Sequence, residues 1–104
     1  MTTEQILKEI KTRLASAHGD RLRGVVLYGS VARGDAGPDS DIDLLVLLDG
    51  PVRHGRDLET NLRALHPLAL RVCRRISAKP VSAAEYDAVD CPLYRSARAE
   101  GISA

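Results

Sequence analysis

Apolar residues follow two different periods along the 104-residue chain, and these periods predict its helices and strands. Near the amino end they recur every four residues, which predicts an amphipathic helix from a capping box at Thr2 to about Ala17. Two short apolar runs are typical of buried strands: Val25–Tyr28, bounded by Gly24 and Gly29, and Ile42–Leu48, closed by Asp49-Gly50-Pro51. The first half of the chain therefore reads helix, strand, turn, strand.

The second half continues this alternation. A leucine stripe predicts a helix over His54–His66, which Pro67 is expected to end. Alternating residues over Leu70–Ala78 then predict a third strand with one polar face, with Arg74 as the exception. Two short helices are predicted after it, at Ala83–Ala88 and Pro92–Glu100. Three core strands with helices before and between them predict a single α/β or α+β domain over residues 1–104.

Composition narrows the classes of function. Fifteen basic and fourteen acidic side chains leave a charge of +1, and 3% of the residues are aromatic, so strong nucleic-acid binding is not expected. The longest apolar run, Leu44–Leu48, is far shorter than the roughly twenty residues of a membrane span. Cys73 and Cys91 show no CxxC spacing and are expected to be small buried residues. With no secretory leader visible, a cytoplasmic location is expected.

The chemistry lies between the first two strands, in the segment from Gly29 to Asp43. Asp35 and Asp39 lie among Gly and Pro, where aspartate is typical of a surface turn. Asp41 and Asp43 are two residues apart at the start of an apolar strand, so they project from one face. Two carboxylates placed in this way repel each other unless a cation joins them, and Mg²⁺ prefers such oxygen ligands.

Other motifs that share these residues do not fit. A calcium loop starting at Asp39 would need Gly and Glu where the chain has Leu44 and Gly50. A P-loop would need Lys after Gly29, and no GxGxxG is present for a dinucleotide. Phosphatases with an aspartyl nucleophile place their Asp-x-Asp after the apolar strand, whereas here the apolar run follows Asp43.

The remaining pattern is Gly29-Ser30, ten residues, and then Asp41-x-Asp43. This pattern resembles the signature of the DNA polymerase beta superfamily of nucleotidyltransferases. The segments Gly29–Gly34 and Ser40–Val46 resemble in particular the minimal nucleotidyltransferases, which are often paired with a HEPN-domain ribonuclease. The resemblance implies the nucleotidyltransferase fold, a small mixed three-stranded core sheet with helices packed on it.

The resemblance also implies roles for individual residues. A nucleoside triphosphate, with ATP as the first candidate, would be bound by residues of the turn and its flanks: Gly29, Ser30, Arg33 and Ser40. For Arg33, pairing with Asp35 is the alternative. Asp41 and Asp43 would be the catalytic residues that bind two Mg²⁺ ions. The expected reaction moves a nucleotidyl group, such as AMP, to a hydroxyl of a protein or small molecule. A HEPN-domain protein or a second copy is the expected partner, contacting Pro92–Ala104 or the first helix.

One position departs from the family pattern. The third carboxylate of the family lies in a segment like apolar-Asp-x-Arg-Pro-Val-Ser, and Ile76–Ser82 matches it with Ser77 in place of Asp. Serine supplies neither the charge nor a strong metal ligand, so the second metal is doubtful. Asp57, Glu59, Glu85 and Asp87 are possible substitutes. The alternative function is therefore a catalytically impaired binding module that acts by protein–protein contact.

Overall fold

The strands and helices of the protein come from a computed structural model that describes residues 1–35, 37 and 40–104; Asp39, expected in a turn, lies outside them. The strands are β1 (Leu22–Tyr28), β2 (Ile42–Leu48), β3 (Ile76–Ser82) and β4 (Ile102–Ser103). The helices are α1 (Thr3–His18), α2 (Gly29–Arg33), α3 (His54–Val72), α4 (Ala83–Ala88) and α5 (Pro92–Glu100). A short 3₁₀ turn, Gly19–Arg21, connects α1 to β1.

The strands form one mixed sheet in the order β3-β2-β1-β4. β2 pairs with β1 in antiparallel and with β3 in parallel orientation, which confirms the predicted mixed sheet of three core strands. β1 begins at Leu22, earlier than the predicted Val25. The structure adds β4, which is two residues long and pairs with Val26 and Leu27 of β1.

Each face of the sheet is covered by a different pair of helices. Side chains alternate along a strand, so Leu27 and Leu44 face the main core beneath α1 and α3, while Val26 and Leu45 face a smaller cluster beneath α4 and α5. Ala97 is 1% exposed in this second cluster. The Ala97 side of α5, expected to contact another chain, is therefore already buried within this one.

The prediction that Pro67 ends the third helix is wrong. α3 continues through Pro67 to Val72, so the predicted strand over Leu70–Ala78 begins only at Ile76. Pro67 is exposed, whereas Leu65 and Leu68 on either side of it are buried in the main core. Burial of both leucines offsets the cost of the proline, which is about 3 kcal/mol in a helix interior.

The predicted capping box of α1 and the predicted start of α5 are confirmed. Thr2 and Gln5 form the predicted capping box at α1, with bonds of 3.2 and 2.8 Å in the two directions. Ser82 accepts a hydrogen bond from the Glu85 amide at α4, and Pro92 begins α5. In the described ranges, no helix combines the length and apolar character needed to cross a membrane.

The prediction that both cysteines are buried is wrong. Cys73 is exposed and Cys91 is half-buried. Cys73 follows the last turn of α3 with a φ of 54°, the left-handed conformation in which helices commonly end. This position faces outward because the chain reverses there to enter β3.

The free edge of β3 is partly closed by a buried polar contact. Ile42 donates its amide to the Arg75 carbonyl, so in the parallel ladder the backbone groups of Ala78 and Pro80 point away from β2. Pro80 has no N–H to leave unpaired there, and the side-chain amide of Asn61 donates to the Ala78 carbonyl at 3.0 Å. Asn61 is fully buried, and its Oδ1 lies 2.6 Å from His18 Nε2. One side chain thus connects α3, β3 and the end of α1.

We expect Asn61→Ala to lower the free energy of unfolding by about 1 to 3 kcal/mol, because the Ala78 carbonyl would lose its buried partner. Urea unfolding followed by circular dichroism measures this change. Thr12→Ala, at an exposed residue of α1 whose hydroxyl also donates to a backbone carbonyl, is the matched control and should change stability by less than about 0.5 kcal/mol. An equal loss in both variants would contradict the role given to Asn61.

Candidate active site

The Gly-Ser turn and the two aspartates meet at the end of the sheet where β1 stops and β2 begins. Gly29 and Ser30 start α2 immediately after β1, while Asp41 precedes β2 and Asp43 lies within it. In the antiparallel ladder Tyr28 pairs with Asp43, so the next residue along β1 lies beside the aspartate. Residues fourteen positions apart in sequence thus form one cluster.

Gly29 lies so close to Asp43 that a side chain there would displace the carboxylate. A Cβ built on Gly29 would be 2.7 Å from Asp43 Oδ2, inside any normal contact. Gly29 also has a φ of 76°, a conformation that side chains with a Cβ adopt only at a cost. Two features therefore favour glycine at this position: its backbone conformation and the nearby carboxylate of Asp43.

The electrostatics at Asp43 are unfavourable to its own charge. Burial, and after it the neighbouring Asp41 charge, raise the pKa of Asp43 above the ordinary value for aspartate. Burial and the Asp43 charge likewise raise the pKa of Tyr28. Asp41 itself is exposed. A cation placed between the two carboxylates would relieve this repulsion.

The donor set matches a hard divalent cation that keeps part of its shell open. Asp41 and Asp43 supply oxygen ligands, and the Gly29 backbone leaves room beside Asp43 that a side chain would fill. Among the described residues no group of three or more His, Cys, Asp or Glu is placed to hold a metal. Mg²⁺ suits this arrangement because it usually binds one or two carboxylates together with water and substrate phosphates.

The position of the missing third acid is beside Asp43. Ser77 on β3 is the register partner of Asp43 on β2, and its side chain is exposed. The alignment that predicts a serine in place of the third carboxylate is therefore consistent with the strand register. A neutral hydroxyl flanks the carboxylate pair at the point where a third negative charge would strengthen cation binding.

The four acids proposed as substitutes for the third carboxylate lie on other elements than β3. Asp57 is buried and accepts two hydrogen bonds from Arg21, at 3.0 and 3.2 Å, near the far end of β2. This guanidinium holds the pKa of Asp57 below its usual range. Glu59 pairs with Arg63 on α3, and Glu85 follows the end of β3. Asp87 is exposed on α4.

Arg33 and Ser40 lie on either side of the cluster in sequence. Among the described residues, neither forms a hydrogen bond or an ion pair with Asp41 or Asp43. Arg33 pairs with Asp35 at 3.2 Å, which is the alternative partner expected from the sequence. It also pairs with Glu100 at 3.7 Å. The Ser40 amide donates to the Gly37 carbonyl at 3.2 Å. A role for either side chain in binding a nucleotide stays a prediction.

Sequence reasoning missed one residue near the site. Arg74 Nε donates to the Ser40 carbonyl at 2.9 Å, directly before Asp41. The available signal was that Arg74 interrupts the apolar and polar alternation of the predicted third strand. The interpretation as a strand was wrong there, and Arg74 lies instead in the turn between α3 and β3.

A mixed sheet with a glycine-led turn against paired carboxylates is an arrangement suited to phosphate and a divalent cation. The comparison with known families agrees with this class. A family model described as "Nucleotidyltransferase domain" (NTP_transf_2) matches residues 5–99. The chain therefore belongs to the nucleotidyltransferase domain family, and the resemblance to minimal nucleotidyltransferases is confirmed.

Two proteins of Methanocaldococcus jannaschii are similar in sequence. "Putative protein adenylyltransferase MJ0604" is 39% identical over 62 residues, which are 60% of this chain and 62% of that protein. "Putative protein adenylyltransferase MJ0141" is 43% identical over 44 residues, 42% of this chain and 44% of that protein. The matched region thus spans less than two thirds of either relative.

Solved structures share the fold. One described as "putative minimal nucleotidyltransferase" is 30% identical with a TM-score of 0.54, and the match covers 98% of this chain and 95% of that one. A toxin–antitoxin crystallised with AMP-PNP is 16% identical with a TM-score of 0.65, covering 98% and 72% of the two chains. At that identity, the second likeness shows the fold alone.

We expect Gly29→Ala to destabilise the protein more than Gly34→Ala. Both glycines have a positive φ, of 76° and 78°, so each alanine should lose about 1 to 2 kcal/mol from backbone strain. A Cβ at Gly34 meets nothing within 4 Å, whereas at Gly29 it would push the Asp43 carboxylate aside and should add about 0.5 to 1.5 kcal/mol. Urea unfolding of the two variants measures the difference, and equal losses would argue against the close approach.

Proposed function

We propose that this chain is a minimal nucleotidyltransferase that binds ATP with Mg²⁺ and transfers AMP to a hydroxyl of a protein. The observation that carries the proposal is the contact between Gly29 and Asp43, which places the Gly-Ser turn against the carboxylate pair. The two M. jannaschii relatives described as adenylyltransferases support AMP as the transferred group and a protein as the acceptor. A HEPN-type partner is proposed from the resemblance of Gly29–Gly34 and Ser40–Val46 to the minimal nucleotidyltransferases, while the toxin–antitoxin neighbour with AMP-PNP shares the fold.

The residues of the turn are suited to the triphosphate. Tyr28 provides no side-chain cap for α2, so the first amides of this short helix are available to phosphate oxygens. The absence of a Cβ at Gly29 allows a phosphate to approach the backbone closely. Ser30 adds a hydroxyl at the same turn. These groups would hold the β- and γ-phosphates on the side of the turn that faces Asp43.

The transfer exchanges one phosphorus–oxygen bond for another. The acceptor hydroxyl releases its proton to water as its oxygen bonds to the α-phosphorus, the bond from that phosphorus to the β-phosphate oxygen breaks, and pyrophosphate leaves. Mg²⁺, when bound, would neutralise the phosphate charge and lower the pKa of the acceptor hydroxyl. Asp41 and Asp43 would hold the cation, and the absence of a side chain at Gly29 would leave the Asp43 carboxylate its place beside the turn.

The decisive measurement is calorimetry of ATP binding with and without Mg²⁺. We expect binding only with the metal, because the two carboxylates otherwise repel the triphosphate. The Asp41→Asn, Asp43→Asn double variant should lose the metal-dependent binding, while Asp20→Asn, at an exposed residue of the turn after α1, should keep it. Equal affinity in EDTA, or full binding by the double variant, would contradict the site.

The same binding should depend on pH in a defined direction. Cation binding needs the ionised form of Asp43, and the raised pKa of Asp43 means that this form appears at higher pH than for a free aspartate. The affinity for ATP with Mg²⁺ should therefore increase as the pH rises from about 4 through the raised pKa of Asp43.

The second candidate function is an impaired binding module that contacts a partner without transferring a nucleotide. The register of Ser77 with Asp43 favours it, because the cation that activates the acceptor would lack an anionic ligand. In this case Mg²⁺–ATP still binds, since Asp41 and Asp43 suffice for the cation on the triphosphate. The two candidates differ only in the rate of transfer.

Ser77→Asp separates the candidates. If the missing carboxylate limits transfer, the variant should raise AMP transfer by about 10²- to 10³-fold, the usual effect of one well-placed group at a reacting centre. Radiolabelled ATP with a co-encoded partner protein measures it, with Lys79→Asp as the control two residues further along the exposed side of β3. Strong wild-type transfer that Ser77→Asp leaves unchanged would show that another group serves.

A further inference from the structure

The backbone on both sides of Asp41 is held by the turn that connects α3 to β3. On the carboxyl side, the Ile42 amide donates to the Arg75 carbonyl at 2.9 Å. On the amino side, the Ser40 carbonyl accepts a hydrogen bond from Arg74 Nε, also at 2.9 Å. Two consecutive arginines therefore fix the chain at the residues that flank Asp41, one through its side chain and the other through its backbone.

The surroundings of the Arg74 side chain favour its contact with the Ser40 carbonyl. It is half-buried, and Arg74 lines a small void together with Ile6, Leu27 and Val31 of the main core. Arg74 takes part in none of the ion pairs formed within the part of the chain that the structure describes. Among the described residues, its guanidinium is thus held by a backbone carbonyl next to the site and by none of the carboxylates.

The local backbone turns Arg74 toward the site. Cys73 has a φ of 54°, which is uncommon for a residue with a side chain and reverses the chain after α3. The Arg74 amide then donates to the Ala69 carbonyl at 3.2 Å and closes the last turn of the helix. The guanidinium therefore extends from a closed helix end to Ser40.

We propose that Arg74 is a positioning residue that sets the geometry of the Asp41–Asp43 pair for Mg²⁺ by holding the Ser40 carbonyl. This inference rests on the proposed function. Mg²⁺ demands nearly ideal octahedral geometry with short bonds, whereas Ca²⁺ accepts six to eight ligands in flexible arrangements. Loosening the backbone before Asp41 should therefore weaken Mg²⁺ binding more than Ca²⁺ binding. Outer contacts of this kind commonly change metal affinity by about 10- to 100-fold.

The test compares Arg74→Met with Arg75→Met. Methionine keeps the apolar stem and removes the donor to Ser40, while Arg75 has an exposed side chain and contributes its backbone carbonyl, which the substitution retains. Calorimetry of ATP binding at increasing Mg²⁺ or Ca²⁺ gives the metal concentration at half-saturation. For Arg74→Met we expect it to rise about tenfold for Mg²⁺ and less than threefold for Ca²⁺. Arg75→Met should match the wild type, and Arg74→Lys should recover part of the loss.

The outcomes distinguish this inference from the function on which it rests. If the wild type shows no metal-dependent ATP binding, the proposed function fails and the role of Arg74 falls with it. If the wild type binds but Arg74→Met behaves like the wild type, only the positioning role is overturned. Equal weakening for both metals together with a lowered melting temperature would show a structural contribution alone, and it would also overturn the proposal.

Discussion

The antiparallel register of β1 on β2 is the constraint on which the site depends. Tyr28 lies opposite Asp43 because Leu27 and Leu44, one step further from the strand ends, must share the face that packs beneath α1 and α3. A shift of the register by one residue would turn every core side chain to the wrong face. The free energy of core burial therefore also fixes the contact between Gly29 and Asp43, and the geometry of the site follows from the packing of the sheet.

The site is built at some cost to the fold. Asp43 is partly buried beside a second carboxylate, so its ionised form is disfavoured, and Gly29 has no side chain that would crowd the carboxylate. Such local strain is typical of positions kept for binding rather than for stability. The strand register extends the cluster to Ser77, where the absence of a third charge reduces the repulsion between the acids. A serine at this position adds no charge that would repel Asp43, and it offers no carboxylate to a cation.

Much of the fold was predictable because its signals are local. The capping box at Thr2, the apolar run of β2 and the start of α5 at Pro92 depend on residues within one or two turns of each other. The spacing from Gly29-Ser30 to the Asp-x-Asp pair identified the family and the candidate ligands in the same way. These features can be predicted because residues that are close in sequence are also close in space.

The sequence by itself thus determined the order of the elements, the mixed sheet and the family. The tertiary structure alone decided where α3 ends, because buried leucines on both sides of Pro67 outweigh the local preference of proline to stop a helix. It also decided the pairing of β4 with β1 and the contact of Arg74 with Ser40. Each of these joins segments more than thirty residues apart, and no local pattern records a free energy that arises only when the distant segments pack together.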